Sequence, residues 1–219
     1  AVKAHGSELE YSMRGSEELR AWGRRALARA DAVFVGSEHI ASVLADLVGD
    51  VERVFVVPPG VDVEEFRPLP REDALRRLLD EARGDPPNPG NANERLPDEN
   101  NAARFAEFFA EPGPTIVYFG KLIFNKGVHL LLEALVGLDA KAVVVGFGDY
   151  RAELEELAPE RTLFTGPLEH RHLAALLPLC DVVVVPSIFP EAFGMVAAEA
   201  AAAGDAQQGI EQGDEAGAG

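Results

Sequence analysis

Among the 219 residues there is one cysteine, Cys180. No intramolecular disulfide can form, so a packed core must hold the fold, and a reducing, cytoplasmic location is expected. Cys180 precedes an apolar strand and is expected to be a core thiol. Positive charge is scarce: 20 Lys and Arg face 37 Asp and Glu, a formal net charge of −17. That balance excludes nucleic acid or an anionic membrane as the main partner. No apolar run is long enough to span a bilayer, so no transmembrane segment is expected, and no signal-peptide pattern appears. Metal-ligand spacing is also missing. His170 and His172 are two apart, a spacing that points them to different helix faces. No Asp-x-Asp follows a strand, so no metal ion and no cofactor are expected.

What is present is a folded chain, 47% hydrophobic, long enough for one large or two small domains. Ser16 to Ala30 reads as a helix with Glu17 and Glu18 in its first turn and arginines later, as the helix dipole prefers. Ala32–Val35 reads as a strand, Ser37 as the N-cap of a helix to Val48, and Val54–Val57 as a strand. Pro58-Pro59-Gly60-Val61-Asp62 breaks regular structure. Arg71 to Arg83 is helical. Gly84 to Asn101, rich in Pro, Asn, Asp and Gly, reads as an irregular loop or insertion. A short amphipathic helix covers Ala102–Ala110.

The pattern then becomes regular. Strands Thr115–Phe119, Ala142–Val145, Thr162–Thr165 and Asp181–Pro186 alternate with helices Val128–Leu138, Asp149–Ala158, His170–Leu177 and Phe193–Ala203. Four strand–helix units with continuous apolar strands predict an α/β fold with a doubly wound parallel sheet. Asp205 to Gly219 loses the pattern and is expected to be a disordered tail.

Ligands of open parallel sheets sit beyond the carboxyl ends of the strands, and each polar motif falls there. Glu191 and Glu199 stand eight residues apart across the loop and helix after Val182–Val185. The helix start, Phe193-Gly194-Met195-Val196, offers free backbone N–H groups and a favourable dipole to an anion. Carboxylates suit polyols, because each accepts two hydroxyl hydrogen bonds. Lys121 and Lys126 flank the loop after the first regular strand and can straddle a diphosphate; they are two of only four lysines. Phosphate at amides and lysines with hydroxyls at carboxylates describes a nucleotide-sugar. Gly146-Phe147-Gly148 lacks the third glycine of a dinucleotide fingerprint, which disfavours a dehydrogenase.

The Glu-x7-Glu element, preceded by Asp-Val-Val-Val-Val-Pro-Ser, resembles that of retaining glycosyltransferases with the two-domain GT-B fold, in particular family 4. Gly120-Lys121-x4-Lys126-Gly127, Gly146-Phe147-Gly148, Thr165-Gly166-Pro167-Leu168 and His5-Gly6-Ser7-Glu8 resemble further elements of that family. The resemblance implies transfer of a hexosyl unit from a nucleotide-diphospho-sugar, with retention of configuration. The acceptor, a carbohydrate, lipid or small molecule, is left open. It implies that Glu191 approaches the donor sugar and that Glu199 holds the ribose. Gly120, Lys121 and Lys126 would bind the diphosphate, and Gly148 would mark a turn where the backbone nears the ligand. Leu168 would line the base pocket, and His5 would reach the sugar from the facing domain. Lys121 stands where arginine is more usual, which keeps the charge and loses the fork.

On this reading, residues 1–64 are a remnant of the acceptor-side domain. Residues 65–113 are a linker with an insertion, 114–204 a Rossmann-like donor domain, and 205–219 the tail. Upstream βα units and segments after Gly204 would be missing, so the chain is expected to be a fragment with impaired transfer. Alternatives are a non-catalytic nucleotide-sugar-binding fragment and a GT-B sugar-nucleotide epimerase.

Overall fold

Short apolar runs of valine and phenylalanine build two parallel sheets. The computed structural model describes residues 1–6, 8–88, 95–189 and 193–204. The first sheet belongs to a unit built on Ala1–Val61, and the second to a unit built on Asp62–Ile188 and the helix from Val196.

In the first unit β1 (Val2–Lys3), β2 (Val33–Val35) and β3 (Val54–Val56) pair in that order, all parallel. A π-helical turn, Glu8–Met13, precedes α1 (Glu17–Leu27), and α2 (Glu38–Val48) follows β2. Both helices start as the sequence predicts. Ser16 accepts the Leu19 amide and Ser37 accepts the Ile40 amide, each at 3.3 Å, which satisfies donors that a helix start leaves free. Ile40, Val43, Leu44, Leu47 and Val48 of α2 are buried with Val33 and Val35. Their spacing is that of one helical face.

The second unit carries β4 (Thr115–Phe119), β5 (Lys141–Val145), β6 (Thr162–Phe164) and β7 (Val182–Val183) in the order β6-β5-β4-β7, all parallel. Every residue of β5 is buried, as a central strand covered on both faces requires. Leu122, Val128, Leu132, Val144 and Leu154 form the core of this unit. They come from the sheet, a loop, and helices α5 (Val128–Leu135) and α6 (Arg151–Leu157). Helix α3 (Arg71–Arg83) packs on α4 (Asn101–Ala110) and on α7 (His170–Leu176). Thus the stretch read as linker and insertion supplies two helices to this unit. Cys180 is buried, with its thiol 3.4 Å from the Leu176 carbonyl.

Two expectations are corrected. Strand β7 covers Val182–Val183 rather than Asp181–Pro186, since only Ile116 and Val117 pair with it. Helix α8 spans Met195–Ala202, not Phe193–Ala203. Gly194, at φ +81°, lies outside the helical region and fixes the start after it. Glu199 is therefore the fifth helical residue, just over one turn in, rather than the seventh. Part of the Gly84–Asn101 segment (89–94) lies outside the described residues, as does the Asp205–Gly219 tail. The described part is irregular but pinned: buried Asn88 donates to the carbonyls of Leu96 and Pro97 at 3.1 and 2.9 Å.

Candidate functional site

The carboxyl ends of β4, β5 and β6 open on a cleft of about 300 Å³. Gly120 and Lys121 line it from the loop after β4, Gly146 and Phe147 from the loop after β5, and Pro167 and Leu168 from the loop after β6. Val196 and Glu199 of α8 and His170 of α7 complete the lining. The loops continue the sheet's hydrogen bonding past the strands. The Gly120 amide donates to Val145 O and the Gly146 amide to Gly166 O, each at 3.0 Å. This approach needs glycine at position 146. Its φ is +145°, and a Cβ there would lie 1.8 Å from the Gly120 carbonyl oxygen. Tyr118 donates its hydroxyl to Lys121 O at 2.8 Å, which fixes the backbone under an exposed lysine.

Glu199 is 6% exposed. Its Oε1 lies 3.7 Å from Nε2 of His170. Burial pushes its carboxyl above the ordinary carboxylate range, His170 pulls it back, and Glu65 pushes it further up. A buried carboxyl without a strong cation destabilises the fold at neutral pH, and ligand hydroxyls facing it would relieve that penalty.

The cleft brings together Gly120, Lys121, Leu168, Val196 and Glu199 of the residues singled out from the sequence. Lys126 does not line it. It ends a 3₁₀ turn, Phe124–Lys126, whose Asn125 carbonyl accepts the Ile188 amide at 3.1 Å, beside the loop after β7. Gly148 is also outside the lining; its carbonyl accepts the Arg151 amide at 3.1 Å as α6 begins. Phe193, 36% exposed, and Gly194 lead into α8, which opens on Met195. His5 belongs to the first unit, exposed just after β1, and its carbonyl faces the Leu9 amide at 3.4 Å. Glu191 lies outside the described residues.

Sequence reasoning weighed His170 only as a metal ligand and left it out of the site. It stands beside Glu199 and packs edge-on against Phe66, ring centroids 5.7 Å apart. Its place as first residue of the helix after Pro167-Leu168-Glu169 was the available signal. Among the described residues no group of three or more His, Cys, Asp or Glu side chains could hold a metal ion. Nor is any helix long and apolar enough to cross a membrane.

A parallel, doubly wound sheet, with Glu199 buried and Lys121 exposed at its carboxyl edge, is the Rossmann-like architecture of GT-B structures. Residues 99–206 match the family model described as glycosyl transferases group 1, and residues 3–65 match that of glycosyltransferase family 4. The chain belongs to this glycosyltransferase family.

It is 35% identical over 191 residues to a D-inositol 3-phosphate glycosyltransferase of Xylanimonas cellulosilytica, covering 81% of this chain and 40% of the relative. It is 30% identical over 193 residues to a 2-deoxystreptamine glucosyltransferase of Streptomyces kanamyceticus, covering 83% and 43%. The chain thus spans less than half the length of these curated relatives. The Anabaena protein HepE, solved with UDP and glucose, superposes with a TM-score of 0.69 at 23% identity, over 93% of this chain and 50% of that one. That likeness shows the fold.

Proposed function

We propose that the second unit binds a nucleotide-diphospho-sugar, and that the protein transfers its hexosyl unit to an acceptor with retention of configuration. The observation that carries this reading is Glu199, buried at the mouth of the sheet in one cleft with Lys121 and Leu168. A carboxylate that accepts two hydroxyls suits the ribose diol, an exposed lysine suits a phosphate, and the Pro167-Leu168 wall suits a flat base. The HepE complex with UDP and glucose supports this choice of ligand.

In the reaction the nucleoside diphosphate leaves. Lys121 and the backbone amides entering α8 stabilise its growing charge, and Lys126, outside the cleft lining, adds its charge from the neighbouring turn; this preorganised electrostatic role asks for no metal ion or other cofactor. Glu191 orients the donor sugar and supports positive charge at its anomeric carbon. The acceptor is a carbohydrate, a lipid or a small molecule, and the lone cysteine supports a cytoplasmic setting.

A second reading, donor binding without transfer, is supported by the cleft itself, where Lys121, Leu168 and Glu199 suit the donor. One set of measurements separates the two. Calorimetric titration with UDP-glucose and GDP-mannose tests binding, and proton NMR of a transfer reaction reads the anomeric configuration of the product. Binding with a retained product supports the proposal, and Glu191→Gln then lowers transfer by about 10²-fold or more, as for loss of a preorganised electrostatic group. Binding without turnover selects the second reading. Absence of binding to either nucleotide-sugar, or an inverted product, rejects the proposal.

A further inference from the structure

The loops that form two walls of the cleft are held from behind by one acidic side chain. Asp98 lies in the Gly84–Asn101 segment, one residue before the stretch that matches the group 1 family model. Its carboxylate accepts two parallel hydrogen bonds from Arg151, NH1 to Oδ1 at 2.9 Å and NH2 to Oδ2 at 2.7 Å. Both side chains are largely buried, at 9% and 14% exposure. Arg151 is the first residue of α6, reached directly from the loop after β5.

The same aspartate grips the loop after β6. Its own amide donates to Thr165 O at 2.8 Å, and Asn101 Nδ2 donates to that oxygen at 2.8 Å. It presses on Gly166 closely enough that a Cβ there would lie 2.6 Å from Oδ1. Gly166 in turn accepts the Gly146 amide. Arg104 adds an outer tie, donating to Phe164 O at 2.6 Å and to Asp98 at 3.4 Å.

Bidentate guanidinium–carboxylate pairs fix orientation as well as distance. A pair that spans the two loops bearing Gly146-Phe147 and Pro167-Leu168 sets the separation of the walls between which a base would lie. Lys121, on the loop after β4, has no part in it. We infer that Asp98, through Arg151 and the Thr165–Gly166 backbone, is a positioning residue for the nucleobase wall of the cleft. It fixes how tightly the base of a nucleotide is held without touching the nucleotide. The inference rests on the nucleotide reading given above.

The test compares ligands that do and do not reach this wall. UDP and GDP carry a pyrimidine and a purine on the same diphosphate, and inorganic pyrophosphate carries no base. Calorimetric Kd values are taken for the wild-type chain, for Asp98→Asn, which keeps the shape and loses the charge, and for Arg151→Lys, which keeps the charge and loses the fork. Arg104→Gln serves as the outer control. The expected result is a loss of roughly tenfold for the preferred nucleotide in both clamp variants, as for a charged hydrogen bond. The UDP-to-GDP preference should narrow, the pyrophosphate Kd should stay within about twofold, and Arg104→Gln should change little.

Should Asp98→Asn not fold, Arg151→Lys carries the comparison alone. Equal losses for nucleotide and pyrophosphate, or no loss in the variants, overturn the positioning role while leaving the nucleotide site standing. A wild-type chain that binds neither nucleotide overturns the functional reading, and the role of Asp98 falls with it.

Discussion

The second sheet buries a charge at each end, and the two are treated differently. At the amino end of β5, Lys141 is 1% exposed, and its ammonium donates to Phe108 O at 2.6 Å and to Glu111 O at 2.5 Å. The Phe108 ring lies beneath it, 4.6 Å to the centroid. At the carboxyl end Glu199 is 6% exposed, with a largely exposed histidine 3.7 Å away and a cleft in front. Burial drives both toward their neutral forms, lowering the lysine, with Arg161 and Arg71 adding to it, and raising the carboxyl. A buried charge enclosed by its partners holds a structure together. A buried carboxyl that opens on a cleft has room to accept hydroxyls from a ligand, the role proposed for Glu199.

The sharpest way to break that contrast is to remove each charge in turn. Lys141→Met leaves two part-buried carbonyls without their donor, each worth about 1–3 kcal/mol when orphaned away from water. A loss of about 3 kcal/mol is expected, and with it a fall in melting temperature of roughly 6–12 °C for a chain of this size. Nucleotide affinity, measured well below the melt, should stay within about twofold. Thermal unfolding followed by circular dichroism decides it; an unchanged melting temperature would mean the lysine's partners add nothing.

Glu199→Gln should do the reverse. The amide keeps the volume and removes the desolvated charge, so the melting temperature should hold or rise. Binding of a nucleotide-sugar should weaken by about tenfold or more, because a hydrogen bond to a charged group contributes about 1.5–3 kcal/mol. A clear drop in melting temperature with unchanged affinity would put Glu199 in the same class as Lys141.

Lys121→Ala sharpens the comparison at the other side of the cleft. An exposed ammonium is screened, so about a three- to tenfold loss is expected for UDP, at the lower end of charged hydrogen bonds. Uridine, which lacks the diphosphate, should bind the variant and the wild type alike. Equal losses for both ligands would remove the lysine from the phosphate role.

The contrast also explains what could be read from the chain and what could not. Helix α3 was legible because Ala74, Leu78 and Ala82 recur every four positions and are buried. Strands β4 and β5 were legible as apolar runs, and Gly120 and Gly146 marked turns that line the cleft. Glu199 and Lys121 were legible because they sit in short motifs after strands.

Asp98 and Lys141 were not. Asp98 meets Arg151 across 53 positions of sequence, in a stretch whose Pro, Asn and Gly content reads locally as loop. Lys141 meets Phe108 O across 33. Local periodicity carries nothing about such pairs, since tertiary packing decides them. The start of α8 was misread for a local reason: Phe193-Gly194-Met195-Val196 reads as one apolar run into the helix, and the backbone angle of Gly194 breaks it.

The smallest expected effect separates binding from stability by pH. Because the fold raises the carboxyl of Glu199 above its ordinary value of 4.5, through burial chiefly and Glu65 in part, the folded protein holds a proton that the unfolded chain has lost. Its contribution to stability therefore falls as pH climbs from that ordinary value to the raised one, and is flat beyond. Asp85, raised by burial against the pull of His172 and Arg171, adds a slope of the same sign. Donor hydroxyls need the ionised carboxylate of Glu199, so binding should strengthen over the same window in which stability declines. A nucleotide-sugar is the right probe, since its diphosphate diester loses no proton there. In Glu199→Gln the rise in affinity should vanish, while the part of the stability slope owed to Asp85 should remain. If affinity for UDP-glucose keeps the same pH dependence in the variant, the titrating group is another one and Glu199 does not hold the ribose.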